Sequence, residues 1–389
     1  MAASLPVHYR ARRERPATRG GHLGQLAKRS VYLDALRALA LGRVVLYHAT
    51  SAWEVTAFTA MPLMFFIAGS LYANSLEKRP TRAVIASRYR RILYPYWVYL
   101  VAMVLLWGAL GVLGEVDPAQ WVGLLMPVLS LGGPQGPGAD TPLEMTWIAL
   151  WYLQMHLILS LAGGWLRTQQ QRHGKRYWIV LVAAAVVLLP IGVGALAVWA
   201  LWWSLGYLQH DGTLETWLAR RWRAICAATG PAGLALFLVF QHSMVALAAL
   251  GGLLLGVFWL VLAMGARPTL EPHMGSHAWR ASMNWMSSRS LTIYLWHMPL
   301  IYAIVELGLP GSTSWLGRFA LTVVGLAPVC MVLGWAEDLA ARKRPTIWPT
   351  LPPVELRAAG PGADGPTDVD LRPRPRSDSA PRRTDRRGA

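Results

Sequence analysis

Four ionisable residues, Asp34, Arg37, Arg43 and His48, fall inside one apolar run over residues 31 to 52. A charged group inside a bilayer costs on the order of 2.5–3.5 kcal/mol even on insertion scales, so a cluster of them in one span points to function. On a helix turning about 100° per residue, the eleven residues from Arg37 to His48 make three turns and roughly 20°. The two side chains therefore share a face, about 16 Å apart along the axis. Asp34 precedes Arg37 by three residues and joins the same stripe. Arg43 projects about 120° away, toward a different neighbour. An imidazole titrating near neutrality can take a proton from a hydroxyl, or attack a carbonyl itself. A guanidinium binds phosphate through two parallel hydrogen bonds. The plainer alternative is a set of packing ion pairs with an interfacial histidine.

Other candidates are scattered along the chain. Arg88, Arg90 and Arg91 lie together in SRYRRILYPYW, where positive charge at a span entry has either a topological or a phosphate-binding use. Tyr294 and His297 lie in SRSLTIYLWHMPL, and Glu54 and Trp151 lie near the ends of apolar runs. Phe65, Phe66 and Gly69 need no chemistry, because glycine allows close helix approach and the rings fill the contact. Glu306 and Arg318 are expected to pair across a short hairpin. His273 and His277 have a helical i, i+4 spacing, but Pro272 and Gly275 interrupt it, which argues against a metal site. Cys226 and Cys330 sit in apolar runs as small buried side chains, without a disulfide framework. No Gly-rich phosphate loop, HExxH or GxSxG element is present.

The elements that must carry these residues follow from composition. Of 389 residues 54% are hydrophobic and 15% charged, with a mean hydropathy of +0.34. Soluble domains carry about 25% charged residues, so the chain reads as a membrane protein. The runs are long and continuous where a membrane β-barrel needs alternation, so the fold class is all-α and polytopic. Spans of about 20 residues fit near 31–52, 59–76, 95–113, 146–166, 177–195, 196–210, 224–240, 244–266, 290–309 and 316–338, ten in all. Pro190 blurs the fifth and sixth, and 121–131 reads as a short re-entrant or interfacial run. The first span stays in the mature protein, because 30 polar residues precede it.

The net charge of +17 is concentrated in the tails and in alternate loops, which excludes a nucleic-acid face and sets orientation instead. Loops 77–91, 167–176, 211–223 and 267–289 are basic. Loop 114–145 holds Glu115, Asp117, Asp140 and Glu144 without Arg or Lys. Both termini are thereby expected in the cytoplasm. The organisation is a basic disordered tail over 1–30, a membrane domain over 31–338, and a Pro/Arg/Gly-rich disordered tail over 339–389. The near absence of Lys and Asn hints at a GC-rich bacterial genome, hence the inner (plasma) membrane.

DALRALALGRVVLYH resembles the first helix of the acyltransferase-3 family of integral-membrane O-acyltransferases, whose hallmark is Arg or Lys, ten residues, then His. Arg37 and His48 occupy those positions. MPLMFFIAGSLYANSL, SRYRRILYPYW, WIALWYLQMHL and SRSLTIYLWHMPL are similar to four further family segments, in order, over roughly residues 30 to 340. The MPLMFFIAG and RRILYPYW segments look most like the branch that modifies periplasmic glucans. The resemblance implies an acyl group, acetyl or succinyl first, moved from acyl-CoA as co-substrate to a hydroxyl of a glycan or another membrane-associated acceptor, with no tightly bound cofactor. His48 is then the catalytic base, assisted by Arg37 and Asp34. Arg37, Arg88 and Arg91 meet the CoA phosphates, and Tyr294 and His297 hold the donor unless His297 is a hydrogen-bonded core residue. Glu54 and Trp151 contact the acceptor. Measured from the start of the ninth span, His297 is expected several Å nearer the cytoplasm than His48, so that the two do not pair. The competing class is a transporter or flippase, which the lack of a visible inverted repeat weighs against.

Overall fold

The computed structural model describes residues 30–130, 133–188, 194–240 and 244–347, without the side chains of 245 and 246. Expectations for the tails before 30 and after 347, and for the break at Pro190, fall outside the described residues.

Among the described residues every regular element is helical. In chain order the α-helices are α1 (Val31–Thr50), α2 (Ala60–Lys78), α3 (Thr81–Ala109), α4 (Pro118–Leu125), α5 (Leu150–His173), α6 (Lys175–Leu188), α7 (Gly194–His210), α8 (Thr213–Leu218), α9 (Trp222–Phe240), α10 (Val245–Leu270), α11 (His277–Ser288), α12 (Ser290–Glu306), α13 (Trp315–Leu333) and α14 (Trp335–Ala340). Six stretches, Trp53–Lys78, Thr81–Ala109, Pro142–His173, Trp222–Phe240, Leu247–Gly275 and Trp315–Leu333, are long and apolar enough to cross a membrane. The chain is a multi-pass helical membrane protein. The other expected spans fall on α1, which carries Asp34, Arg37 and Arg43, and on α6, α7 and α12, which are only 14, 17 and 17 residues long. The apolar run at 121–131 becomes α4, whose start is closed by a capping box of Asp117 and Gln120, followed by a 3-10 turn at Pro127–Leu129.

α2 is the hub. Its residues from Pro62 to Ser70 are all buried, with no solvent stripe, as expected for a helix apolar on every side. It packs on α1, α3, α5, α7 and α10. Glycine makes the α2/α7 contact possible, because the Gly69 backbone lies on the Trp203 carbonyl and Gly206 lies on the Phe66 carbonyl. α1 starts at Ser30, whose hydroxyl accepts from Leu33 N (3.4 Å), and ends at Ser51 in the left-handed region (φ 54°). It is flanked by α2, α11, α12 and α13.

One residue of the basic loop 267–289 is not a loop charge at all. Arg289 is fully buried between α11 and α12, where it donates to the Gly334 carbonyl, the Asp338 carboxylate (2.8 Å) and the Thr346 carbonyl (2.5 Å). Asp338 also accepts from Thr346 N (2.9 Å), so the chain beyond residue 338 stays tied to the helices as far as Thr346. Burial alone would lift the Asp338 carboxyl, but Arg289 and Thr346 outweigh it and hold it below the usual carboxylate range. Its contribution to stability is therefore present at neutral pH and is lost as pH falls through that lowered value. Removing one partner of a buried pair strands the other charge. Arg289→Ala is expected to destabilise the protein by about 3–5 kcal/mol, read as a lower midpoint of thermal denaturation in detergent, and an unchanged midpoint would refute the assignment.

Candidate functional site

α1 and α12 run in the same direction, and two contacts fix their register. Near their starts, Arg37 donates to the Ser287 carbonyl (2.6 Å) and hydroxyl (2.5 Å), and the Ser287 hydroxyl donates to Asp34 (2.7 Å). One hydroxyl thus joins the carboxylate to the guanidinium, and the end of α11 to α1. Eleven residues on from Arg37 is His48, and ten on from Ser287 is His297. At about 1.5 Å per residue both climb roughly 15–16 Å, and the two rings meet with centroids 5.3 Å apart.

This corrects the expectation that the histidines lie at different depths. That reckoning measured His297 from the start of α12 at Ser290, whereas the level matched to Arg37 is Ser287, in the preceding helix. The short α11–α12 junction, with Arg289 buried in it, lets one rise continue into the next.

His297 is fully buried, and its Nδ1 lies 2.6 Å from the Tyr294 carbonyl. A carbonyl can only accept, so Nδ1 carries the proton and Nε2 presents a lone pair. Nε2 is buried and has no hydrogen-bond partner. A neutral acceptor with a fixed tautomer therefore stands beside His48. The hydroxyl of Tyr294 is committed to the Ala149 carbonyl, so Tyr294 contributes its ring, 5.7 Å from His297, rather than its hydroxyl.

The arginine run of α3 divides by helical geometry. Arg88 turns inward, its guanidinium 5.6 Å from the centre of the Tyr72 ring, and Arg37 is among the charges that act on it. Arg90 donates to the Ala340 carbonyl (2.9 Å), and Arg91 is exposed. Arg37 and Arg88 thus lie near enough to act on one another, and Arg91 is exposed on the same helix as Arg88.

Aromatic rings connect the levels. Tyr152 on α5 lies 5.2 Å from Tyr294 and 5.0 Å from Phe65, and Phe65 stacks on Trp199 at 4.9 Å. Trp151, partly exposed, reaches Trp199 at 5.7 Å. Glu54 is exposed on the 3-10 turn Trp53–Ala57 that follows α1. Among the described residues no hydrogen bond or ring contact joins Glu54 or Trp151 to His48. Arg43 does face another neighbour, donating to the Val55 carbonyl (3.0 Å) and holding that turn against α1. The expected Glu306–Arg318 pair does not form. Glu306 ends α12 exposed, whereas Arg318 is partly buried and its Nε has no partner. The intervening loop turns through Gly308 (φ 58°) and Gly311 (φ 92°), which separates the two side chains. His273 and His277 are exposed, and among the described residues no cluster could hold a metal ion.

Sequence reasoning missed Ser287, Arg289 and the partly buried Glu337, which accepts from both the amide and the hydroxyl of Thr292 (2.6 Å each) at the start of α12. It also passed over His156, although an ionisable residue inside an apolar run is itself a signal.

The site lies in a multi-pass helical bundle, where a charged stripe on α1 runs to partly buried His48 beside fully buried His297. The chain belongs to the acyltransferase-3 family: the model of that family's acyltransferase domain matches residues 30–335. No curated protein and no solved structure matches it. The protein is a membrane acyltransferase.

Proposed function

We propose that this protein transfers an acyl group, acetyl or succinyl, from acyl-CoA to a hydroxyl of a glycan or another extracytoplasmic or membrane-associated acceptor. It does so from a ten-helix bundle in the plasma membrane of a bacterium, both termini cytoplasmic. The observation that carries the reading is the meeting of His48 and His297 at one end of a face that begins with Arg37. His48 takes the proton of the acceptor hydroxyl as its oxygen attacks the thioester carbonyl. The new C–O bond forms, the C–S bond breaks, and the proton passes to the departing thiolate. Arg37, Arg88 and Arg91 at the other end suit the anionic phosphates of the donor. The charge-bearing end faces the cytoplasm, where acyl-CoA is made, by the positive-inside rule. Mass spectrometry of glycans and lipids from strains with and without the gene tests this. A missing acyl group in the deletion strain supports it, and identical profiles in every class overturn it.

Arg37 separates kinetically from the histidines. If it holds the donor phosphates, Arg37→Ala raises the KM for acyl-CoA, and Arg37→Lys recovers part of the loss, because charge survives while the two-pronged fork does not. If Arg37 only balances Asp34 around Ser287, the Asp34→Asn/Arg37→Gln double variant regains the activity that each single change removes. Steady-state kinetics on purified, correctly inserted protein distinguishes the two.

A further inference from the structure

His156 on α5 has no role in the mechanism above, yet its setting is unusual. Its ring packs between Tyr152 (5.9 Å) and Trp203 (5.4 Å), which are 8% and 0% exposed. His156 itself keeps partial exposure. Among the described residues neither ring nitrogen makes a hydrogen bond, which leaves one donor and one acceptor for another group. Both Arg88 and Arg37 act on the ring electrostatically, so it lies near both guanidinium groups.

Helix rise gives its level. Tyr294 precedes His297 by three residues, about 4.5 Å, and touches Tyr152. His156 follows Tyr152 by four residues on a helix running the opposite way, about 6 Å further. It therefore lies about 10 Å from the histidine pair, on the way to Arg37 at about 16 Å. An acyl-CoA with its phosphates at the arginines and its thioester at His48 must lay the connecting arm across this level, and that arm contains two secondary amides. A neutral imidazole has one donor and one acceptor, the complement of an amide.

We infer that His156 is a positioning residue for the acyl donor, hydrogen-bonding an amide of the arm between thioester and phosphates. This rests on the acyl-CoA reading given above. The purified full chain, His156→Phe and His156→Gln are to be compared with acyl-CoA as varied donor. Phenylalanine keeps the ring packing with Tyr152 and Trp203 and removes both nitrogens, whereas glutamine restores a donor and an acceptor. His156→Phe is expected to raise the KM for acyl-CoA about tenfold with kcat within about twofold, and His156→Gln to recover most of it. A wild-type KM in an active His156→Phe protein overturns the inference and leaves the proposed function standing. A wild-type protein that transfers no acyl group from acyl-CoA overturns both. If His156→Phe does not insert, the KM of His156→Gln against that of His156→Ala decides in the same way, with equal values counting against the inference.

Discussion

Replacing His48 by alanine is expected to lower kcat by roughly 100 to 10,000-fold with little change in the KM for acyl-CoA, because proton transfer is lost while the donor contacts remain. The arrangement adds a second expectation. His297 stands 5.3 Å from His48 with its Nδ1 fixed toward Tyr294, so its unpartnered Nε2 can accept the N–H of His48 and keep the opposite nitrogen free for the hydroxyl. His297→Ala should then lower kcat about tenfold or more. The double variant should be no slower than His48→Ala alone, since groups that act as one unit do not contribute independently. Multiplying losses would show two separate roles, and near-normal kcat in His48→Ala would sink the catalytic assignment. Insertion of each variant is checked by its thermal midpoint in detergent.

The sequence made the helical class and the Arg37/His48 face readable for one reason. Both rest on a period, apolar length for the spans and 100° per residue for the stripe, and a period survives whatever the neighbours do. What it hid depends on the register between helices. Distance from its own helix start puts His297 short of His48, but its level is set by Ser287 against Arg37, a contact between residues 250 apart in sequence. Arg289 read as one more positive loop charge because loop arginines usually are, and only the approach of Gly334, Asp338 and Thr346 makes it a buried anchor. Glu306 and Arg318 looked paired by proximity in sequence, and the turn through Gly308 and Gly311 separates them. The aromatic route through Tyr152, Phe65 and Trp199 draws on three helices, so no local pattern could announce it.

Gly69→Ala and Gly206→Ala are expected to be among the most damaging single-methyl changes in the bundle. A Cβ at Gly69 would overlap the carbonyl group of Trp203, and one at Gly206 would overlap the Phe66 carbonyl and the Ser70 amide. These neighbours are backbone and cannot swing aside, so α2 and α7 must move apart. Overpacking of this kind costs about 1–3 kcal/mol and at times more. The cost spreads along the crossing, because separation loosens the Phe65–Trp199 stack and shifts Trp203 away from His156. Both variants should therefore melt earlier and also show a raised KM for the donor. The double variant should cost little more than the worse single one, since one separation accommodates both methyl groups. Gly42 provides the comparison. It lies within α1 with nothing within 4 Å of an added Cβ, so Gly42→Ala removes a poor helix former without a clash. It should melt at or above the wild-type temperature. If Gly69→Ala and Gly206→Ala melt with the wild type while Gly42→Ala does too, α2 and α7 do not approach through their glycines, and the aromatic wall beside the histidines must be held by another contact.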